Sequence, residues 1–274
     1  MKIALIVPAY KPADAMLEML RGYMEEMDCV PVVINDGSGA EYDALFARLP
    51  EGCVLINHDR NQGKGMAIKT GMRHVLERLP ECDVIGTADA DGQFRRQDVR
   101  RVCEAARQAR GALVLGVRTF EGDVPILGRV ANAATRLGLD FAAGVRLRDV
   151  LTGLRAFGRD LLEPFLGIQG ERYEYEINVL LHAAQEGVSI LQEPVLVHLE
   201  GKSADVHFNP LRDTVKIYMR ILLYMGTSLF AFCVDFVMLL VMKALTAGLG
   251  EAPSLMVSVA VARIISAALN FVGN

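Results

Sequence analysis

The chain has 274 residues, of which 52% are hydrophobic and 23% charged, and this is too apolar for a disordered protein. Its 29 basic and 33 acidic residues give a net charge of -4, without the basic surplus typical of nucleic-acid-binding proteins. The five cysteines form no CxxC pair, which argues against a disulfide framework or a cysteine-rich zinc site and favours a reducing compartment.

Short β-rich runs alternate with helical stretches over residues 1–200. The predicted buried strands are Ile3–Val7, Val30–Asn35, Cys53–Asn57, Asp83–Ala88 and Ala112–Val117. The predicted helices between them are Ala13–Met27, Ala40–Arg48, Gly65–Arg78 and Gln97–Ala109. This alternation predicts an α/β fold with a mostly parallel sheet covered on both faces. Because such sheets bind ligands beyond the carboxyl ends of their strands, the residues after each strand are the candidates for chemistry.

An acidic segment follows the fourth predicted strand. Asp89, Asp91 and Gln93 alternate along it, so their side chains project on the same side if the segment is extended. Three oxygen-bearing side chains at this spacing suit a hard divalent cation held against a diphosphate. The alternative is a solvated acidic turn. The metal site is favoured because a second Asp-Gly pair, Asp36-Gly37, follows another strand.

Neither of two familiar phosphate-binding loops is present. The chain contains no GxGxxG motif, and His58 stands where the first glycine of a P-loop would be. These departures disfavour a classical dehydrogenase and a P-loop NTPase. The glycines around Lys64 could still let the backbone approach an anion at the start of the following helix. The alternative is an ordinary helix-starting turn with an exposed lysine.

The tail of the chain has a different composition. Its charged residues between positions 221 and 274 cancel, and they are Asp235, Lys243, Glu251 and Arg263. Ile221–Ala247 and Ala252–Gly273 are long and apolar enough to predict two membrane-spanning helices. The alternative is a buried helical hairpin in a soluble domain. Asp235 and Arg263 would both lie near mid-depth, where an isolated charge is costly, so we expect them to be close together.

The segment before the tail is predicted to be an amphipathic juxtamembrane helix over residues 206–220. Arg212, Lys216 and Arg220 recur every fourth residue and give one basic face, which suits an anionic membrane surface. The loop Gly248–Pro253 contains no lysine or arginine. By the positive-inside rule this predicts a multi-pass plasma-membrane protein with its catalytic domain in the cytoplasm.

The ordered motifs VPAY, NDGS, NQGKGMAIKTGM and ADADGQF resemble those of family 2 inverting glycosyltransferases with the GT-A fold. More narrowly, they resemble the dolichyl-phosphate mannose synthase and polyprenyl-phosphate glycosyltransferase branch. The later segments DVLTGLRAF at 149–157, YEYE at 173–176, GKS at 201–203 and HFNPLRD at 207–213 extend the resemblance to about residue 220. The tail resembles the opening half of a GtrA-like membrane domain. The expected domains are therefore a GT-A domain at 1–205, the helix at 206–220 and a partial GtrA-like domain at 221–274.

The resemblance implies roles for individual residues. Pro8, Tyr10 and Asp36 would border the nucleotide base and ribose. Asp89, Asp91 and Gln93 would hold Mg²⁺ or Mn²⁺, with Asp91, Asp89 and Arg129 as the catalytic group. The remaining implied substrate-binding residues are Lys64, Ala90, Arg118, Arg155 and Lys202. Pro12 stands where the family often has an acidic residue, so the choice between UDP and GDP stays open.

The implied activity is metal-dependent, inverting transfer of a hexose from a UDP- or GDP-sugar to an undecaprenyl-type phosphate at the cytoplasmic membrane face. An acceptor phosphate is already anionic and needs no strong base, so Glu174 and Glu176 are only alternative bases, and they equally suit a helix N-terminus. The rival functions are extension of a cell-surface glycan and translocation of a lipid-linked sugar by the tail. The expected partners are the nucleotide sugar, the polyprenyl phosphate and the membrane, but not nucleic acid. A homo-oligomer is left open.

Overall fold

The computed structural model describes residues 2–121, 147–198, 232–246 and 250–273. These residues fall into two compact units, one within 1–208 and one within 209–274, which are described separately. We number the described strands and helices in chain order.

The first unit contains a mixed sheet of seven described strands in the order β3-β2-β1-β4-β6-β5-β7. The strands are β1 (Lys2–Ala9), β2 (Cys29–Asn35), β3 (Val54–Asn57), β4 (Cys82–Thr87), β5 (Ala112–Glu121), β6 (Arg155–Gly158) and β7 (Ser189–His198). Strands β1 to β4 pair in parallel, as do β5 and β7, whereas β6 is antiparallel to both β4 and β5. The predicted α/β fold with a mostly parallel sheet is therefore confirmed.

Helices flank the sheet on both faces. The helices of the first unit are α1 (Ala15–Glu26), α2 (Asp43–Phe46), α3 (Lys64–Arg78), α4 (Arg96–Gln108), α5 (Leu162–Leu166) and α6 (Glu174–Gln185). The alternation of β1 explains the two layers, because Ala4 and Ile6 belong to the core that contains α3 and α6. Ile3, Leu5 and Val7 belong to the opposite core, which contains α1 and α4.

The predicted elements agree with the described ones to within a few residues up to β5. The main difference is at Ala40–Arg48, where a 3₁₀ turn (Ala40–Tyr42) and the four-residue α2 replace one continuous predicted helix. The strands β6 and β7 have no counterpart in the predicted set. β6 has only four residues, which is too short to show a period of two.

The second unit contains helix α7 over 232–245 and helix α8 (Glu251–Gly273). Small and polar side chains are buried in this unit, including Ser254, Ser258 and Ser266. The Thr246 and Ser254 hydroxyl oxygens are 2.7 Å apart. Large apolar side chains are instead exposed, and they are Phe232, Phe236, Val237, Leu240, Val241, Leu245, Leu255, Met256, Val257, Val259 and Ile264.

The predicted proximity of Asp235 and Arg263 is confirmed. The Arg263 Nε lies 4.0 Å from Asp235 Oδ2, and the Ser266 hydroxyl donates to Asp235 Oδ1 at 3.2 Å. The pair therefore links α7 to α8.

The two predicted membrane spans are not confirmed. Within the described parts of the chain, no helix combines the length and apolarity needed to cross a membrane. Residues 221–231 and 247 of the first predicted span lie outside the described residues, as does the amphipathic helix predicted at 206–220.

Candidate active site

The carboxyl ends of β1, β2 and β4 bring the first candidate residues to one edge of the sheet. Pro8 lies in β1 and Tyr10 follows its last residue, while Asp36 directly follows β2. The Asp36 N–H donates to the Ala9 carbonyl at 2.8 Å, which ties the two loops together. Asp89 follows β4, the other parallel neighbour of β1. This is the edge at which parallel α/β sheets bind ligands.

The Asp36 carboxylate is hydrogen-bonded to groups of its own chain. Its buried carboxylate accepts hydrogen bonds from the N–H groups of Gln62 and Gly63, each at 2.8 Å. The His58 Nδ1 lies 2.7 Å from the same carboxylate. The contact of Asp36 with base or ribose stays a prediction, and in this structure the carboxylate holds the loop before α3.

The glycine-rich loop before α3 approaches an anionic group within the protein. The anion that the glycine-rich backbone approaches is the Asp36 carboxylate itself. At the start of α3, the Met66 N–H is likewise taken by the Glu171 carbonyl at 2.8 Å. Gly63 has a φ of +105°, which suits glycine, and it places its N–H against Asp36. What the loop presents to the site is the side chain of Lys64.

Lys64 is the centre of a buried ion network, not the exposed lysine of the alternative interpretation. Its Nζ lies 2.7 Å from Asp89 Oδ1 and 2.9 Å from Glu176 Oε2, and its side chain is 14% exposed. Burial acts to lower the pKa of Lys64, but the two carboxylates outweigh it and raise this pKa above its ordinary value. For Asp89, burial acts to raise the pKa, yet Lys64 with Arg118 and Arg155 holds it below its ordinary value.

The pKa of Asp91 is shifted in the opposite direction to that of Asp89. Its carboxylate is exposed at the surface and accepts hydrogen bonds from the Gln93 side-chain amide at 2.7 Å and the Gln93 N–H at 3.1 Å. Desolvation and the neighbouring Asp89 carboxylate raise the pKa of Asp91 to about 6. The two predicted metal-binding aspartates are thus close enough to repel each other, and Gln93 lies beside them. Ala90, between them, packs against the core that contains α1 and α4.

The loop before β6 presses against the end of β4. A Cβ at Gly153 would collide with the Asp89 carboxylate, so only glycine permits this approach. The Thr87 hydroxyl of β4 donates to the Gly153 carbonyl at 2.9 Å. The loop therefore fixes one side of Asp89 while Lys64 binds the other.

Arg118 in β5 is paired with an acidic residue of the same loop. Its Nε and Nη2 donate to the two oxygens of the buried Asp149 at 2.7 and 3.0 Å, a bidentate arrangement. The field of Arg118 reaches both Asp89 and Asp91, since it acts to lower the pKa of each. Arg118 therefore lies near the acidic pair, and its predicted contact with a substrate phosphate stays a prediction.

The Arg155 guanidinium binds carbonyl groups of the protein. It is buried, and its guanidinium donates to the carbonyls of Val150, Thr152 and Glu176 at 3.3, 3.1 and 2.6 Å. The contact of Arg155 with a substrate phosphate stays a prediction, and the structure adds a second role for its guanidinium in binding main-chain carbonyls. Arg155 is a positioning residue that joins the loop before β6 to helix α6.

The two glutamates considered as bases are also bound to other groups of the protein. The Glu174 Oε1 accepts from the N–H groups of Glu171 and Arg172 at 3.1 and 3.2 Å, which is the helix-terminus role. Glu176 is buried and pairs with Lys64. Both carboxylates thus have structural partners in this site.

Two predicted site residues, Arg129 and Lys202, lie outside the described residues. Among the residues that the structure does describe, no cluster of three or more His, Cys, Asp and Glu side chains suits a metal ion. Sequence reasoning did not anticipate the Lys64 partnership of Glu176 or the Asp149 carboxylate that holds Arg118. Asp149 follows two arginines at the start of DVLTGLRAF, and Glu176 is the second glutamate of YEYE, so neither stood out in the sequence as a buried partner.

Comparison with known proteins identifies the family. The sequence profile described as Glycosyl transferase family 2 matches residues 4–163. The chain belongs to this family. The resemblance to family 2 glycosyltransferases is thereby confirmed, and the chain is a glycosyltransferase.

Curated relatives of this glycosyltransferase are similar over most of its length. An undecaprenyl-phosphate mannosyltransferase of Micrococcus luteus is 29% identical over 71% of this chain and 83% of its own. A UDP-N-acetylglucosamine–dolichyl-phosphate N-acetylglucosaminyltransferase of Methanococcus voltae is 24% identical over 70% of this chain and 84% of its own.

A solved structure shares the GT-A fold. It is the glucosyl-3-phosphoglycerate synthase of Mycobacterium tuberculosis in complex with Mn²⁺, UDP and glucosyl-3-phosphoglycerate. The two structures superpose with a TM-score of 0.58 and 19% identity, covering 80% of this chain and 79% of that one.

Proposed function

We propose that this glycosyltransferase moves a hexose from a nucleotide sugar, UDP- or GDP-linked, to a polyprenyl phosphate of the undecaprenyl type. The names of the relatives from Micrococcus luteus and Methanococcus voltae support a lipid-phosphate acceptor. The strand-end acidic pair and its cationic neighbours support a diphosphate donor.

The acidic pair fits a divalent cation by its chemistry. Asp89 and Asp91 are hard oxygen donors, and Gln93 lies beside them. The pKa of Asp91 is raised by desolvation and by Asp89, and a bound cation would relieve both penalties. Asp91, Asp89 and Gln93 would therefore hold Mg²⁺ or Mn²⁺. When bound, such an ion supplies Lewis-acid stabilisation of the departing diphosphate.

The observation that carries the lipid-phosphate proposal is that most carboxylates of the described site are already bound to other groups of the protein. In the described part of the site, Asp36 binds backbone, Glu176 binds Lys64 and Asp149 binds Arg118. Glu174 binds the start of its own helix. A hydroxyl acceptor would need one of these as a general base, whereas a phosphate brings an oxygen that is already anionic. Direct displacement by that oxygen inverts the anomeric centre.

We further propose that the second unit attaches the enzyme to a lipid bilayer, with the catalytic unit on the cytoplasmic face. Its helix pair buries hydroxyl groups such as Ser258 and exposes large apolar side chains such as Phe232 and Met256. This distribution is the reverse of a water-soluble helix pair and is expected in hydrocarbon. It supports the GtrA-like assignment of the tail. Arg129, Lys202 and the basic helix at 206–220 retain their proposed phosphate-contacting and membrane-contacting roles.

The test is a donor screen with membranes that contain the full chain. A short polyprenyl phosphate is supplied with each UDP- or GDP-hexose, and the lipid extract is read by mass spectrometry. We expect one donor to give a polyprenyl-phosphate hexose, and the matched polyprenol without phosphate to give none. Membranes with the Asp91→Asn variant serve as the background. Equal transfer to polyprenol, or label found only in glycan, contradicts the proposal.

A further inference from the structure

The position of the Lys64 ammonium conflicts with the metal-binding role of Asp89. Lys64 Nζ lies 2.7 Å from Asp89 Oδ1, within the distance of a strong charge-assisted hydrogen bond. A divalent cation on the same oxygen would bring two positive charges to within a few ångströms of each other. Because the Lys64 side chain is 14% exposed and that of Asp89 31% exposed, water screens this repulsion only in part. Lys64 and a cation therefore compete for Asp89.

Glu176 gives the displaced ammonium somewhere to stay. Its Oε2 is 2.9 Å from the Lys64 Nζ, whereas its Oε1 is buried without a hydrogen-bond partner among the described residues. The Arg155 Nε is 3.9 Å from that oxygen, too far for a hydrogen bond. The 2.9 Å contact with Lys64 is therefore the one short ion pair of this buried carboxylate among the described residues. The function of Glu176 is thus directed at Lys64.

We propose that Lys64 is a built-in counter-cation that neutralises Asp89 in the metal-free enzyme, and that Glu176 is the positioning residue that retains Lys64 when the metal and diphosphate arrive. The inference rests on the proposed metal-dependent function of the acidic pair. Its mechanistic consequence is ordered assembly, because a metal alone must displace Lys64, whereas a metal–diphosphate complex offers the ammonium new oxygen partners. The free enzyme therefore binds bare metal weakly.

The test is Mn²⁺ binding to the full chain without nucleotide, measured from the free Mn²⁺ signal in electron paramagnetic resonance. Lys64→Met removes the competing charge at similar length, and we expect about five- to tenfold tighter Mn²⁺ binding despite lost turnover. Glu176→Gln removes the alternative partner, so Mn²⁺ binding weakens by a similar factor. Lys69→Met, a buried lysine of the same helix, is the matched control and leaves the affinity unchanged.

The double variant protects the test against misfolding of Lys64→Met, which leaves Glu176 as an unpaired buried charge. Because Glu176 acts only through Lys64, Lys64→Met with Glu176→Gln should bind Mn²⁺ as tightly as Lys64→Met alone. A double variant that binds no better than wild type overturns the proposal, as does unchanged or weaker binding by a folded Lys64→Met.

Failure of the inference is distinguishable from failure of the proposed function. If Asp91→Asn abolishes Mn²⁺ binding whereas Lys64→Met leaves the Mn²⁺ affinity unchanged, only the counter-cation role of Lys64 is overturned. If Mn²⁺ binding is indifferent to Asp91→Asn as well, the acidic pair is not a metal site and both proposals fall.

Discussion

Asp91 is the carboxylate of the acidic pair that has no cationic side chain bonded to it in the described site, because Lys64 is bonded to Asp89. We therefore expect Asp91→Asn to lower the turnover number by roughly 10²-fold or more, the effect of losing about 3 kcal/mol of electrostatic stabilisation. The measurement is the initial rate of lipid-linked product formation, with circular dichroism to confirm the fold. Asp83→Asn, an exposed change in β4 away from the site, is the matched control and should keep its rate. Full activity in EDTA would count against the prediction.

Arg155, a predicted phosphate-binding residue, is also a buried residue that binds main-chain carbonyls. Its three carbonyl acceptors require the forked guanidinium, which a lysine ammonium does not match. We expect Arg155→Lys to lower the free energy of unfolding by about 2–3 kcal/mol. Chemical denaturation followed by circular dichroism measures this, and Arg78→Lys on an exposed position should change it by less than about 0.5 kcal/mol. Unaltered stability together with a raised acceptor KM would favour the phosphate-binding interpretation.

The positions of the acidic pair could be predicted because sequence alternation and strand ends are local properties. The side chains that pair with the buried charges could not be predicted in this way. Lys64 and Glu176 meet because α3 and α6 pack on the same face of the sheet, and nothing in the spacing of either helix encodes that distance. The backbone partners of Asp36 could not be predicted for the same reason, since they lie in a loop that returns from beyond β3.

At the scale of elements, the loop before α3 is organised around one carboxylate. Asn at position 36 would turn one acceptor oxygen into a donor facing the N–H groups of Gln62 and Gly63. We expect Asp36→Asn to cost about 2 kcal/mol of unfolding free energy, as an unsatisfied buried donor does. Hydrogen exchange at Gln62 and Gly63 should accelerate selectively. Asp59→Asn, exposed in the same loop, is the control. Unchanged exchange at both amides would show that the loop holds its shape without Asp36.

The strands and helices up to β5 could be predicted because each is long enough to show its period and is bounded by turn residues. Strand β6 could not, because its four residues include the charged Arg155, which a pattern assigns to the surface. Its antiparallel insertion between β4 and β5 follows from the turn at Gly153, whose contact with Asp89 is a tertiary feature. One of the two strands missing from the prediction is thus the one whose preceding loop contacts Asp89.

At the scale of the whole molecule, the charges are divided between the two units. The four tail charges cancel, so the net charge of -4 belongs to residues 1–220. The tail instead presents large apolar side chains outward, whereas Ser254, Ser258 and Ser266 are buried. The amino-acid composition predicted this division of charge between the two units. It did not predict where the helices begin and end, because those bounds depend on helix packing.

The Asp235–Arg263 contact tests whether hydrocarbon surrounds the second unit. In water a pair at 4.0 Å with an exposed arginine would contribute little, so its disruption would scarcely change stability. In a bilayer a lone charge costs about 2.5–3.5 kcal/mol on insertion scales, so Asp235→Arg and Arg263→Asp should each destabilise the unit by about 3 kcal/mol. The measurement is unfolding of the full chain in lipid nanodiscs, followed by circular dichroism.

The double swap decides whether the two residues pair. Asp235→Arg with Arg263→Asp restores opposite charges at the same two positions, so most of the lost stability should return, with a coupling of at least about 1 kcal/mol. Lys243→Glu reverses a charge near the end of α7, where a long side chain reaches water, and should have a small effect. A double variant no more stable than the sum of the single changes would show that the charges act independently. Small effects of all three variants would instead place the helix pair in water.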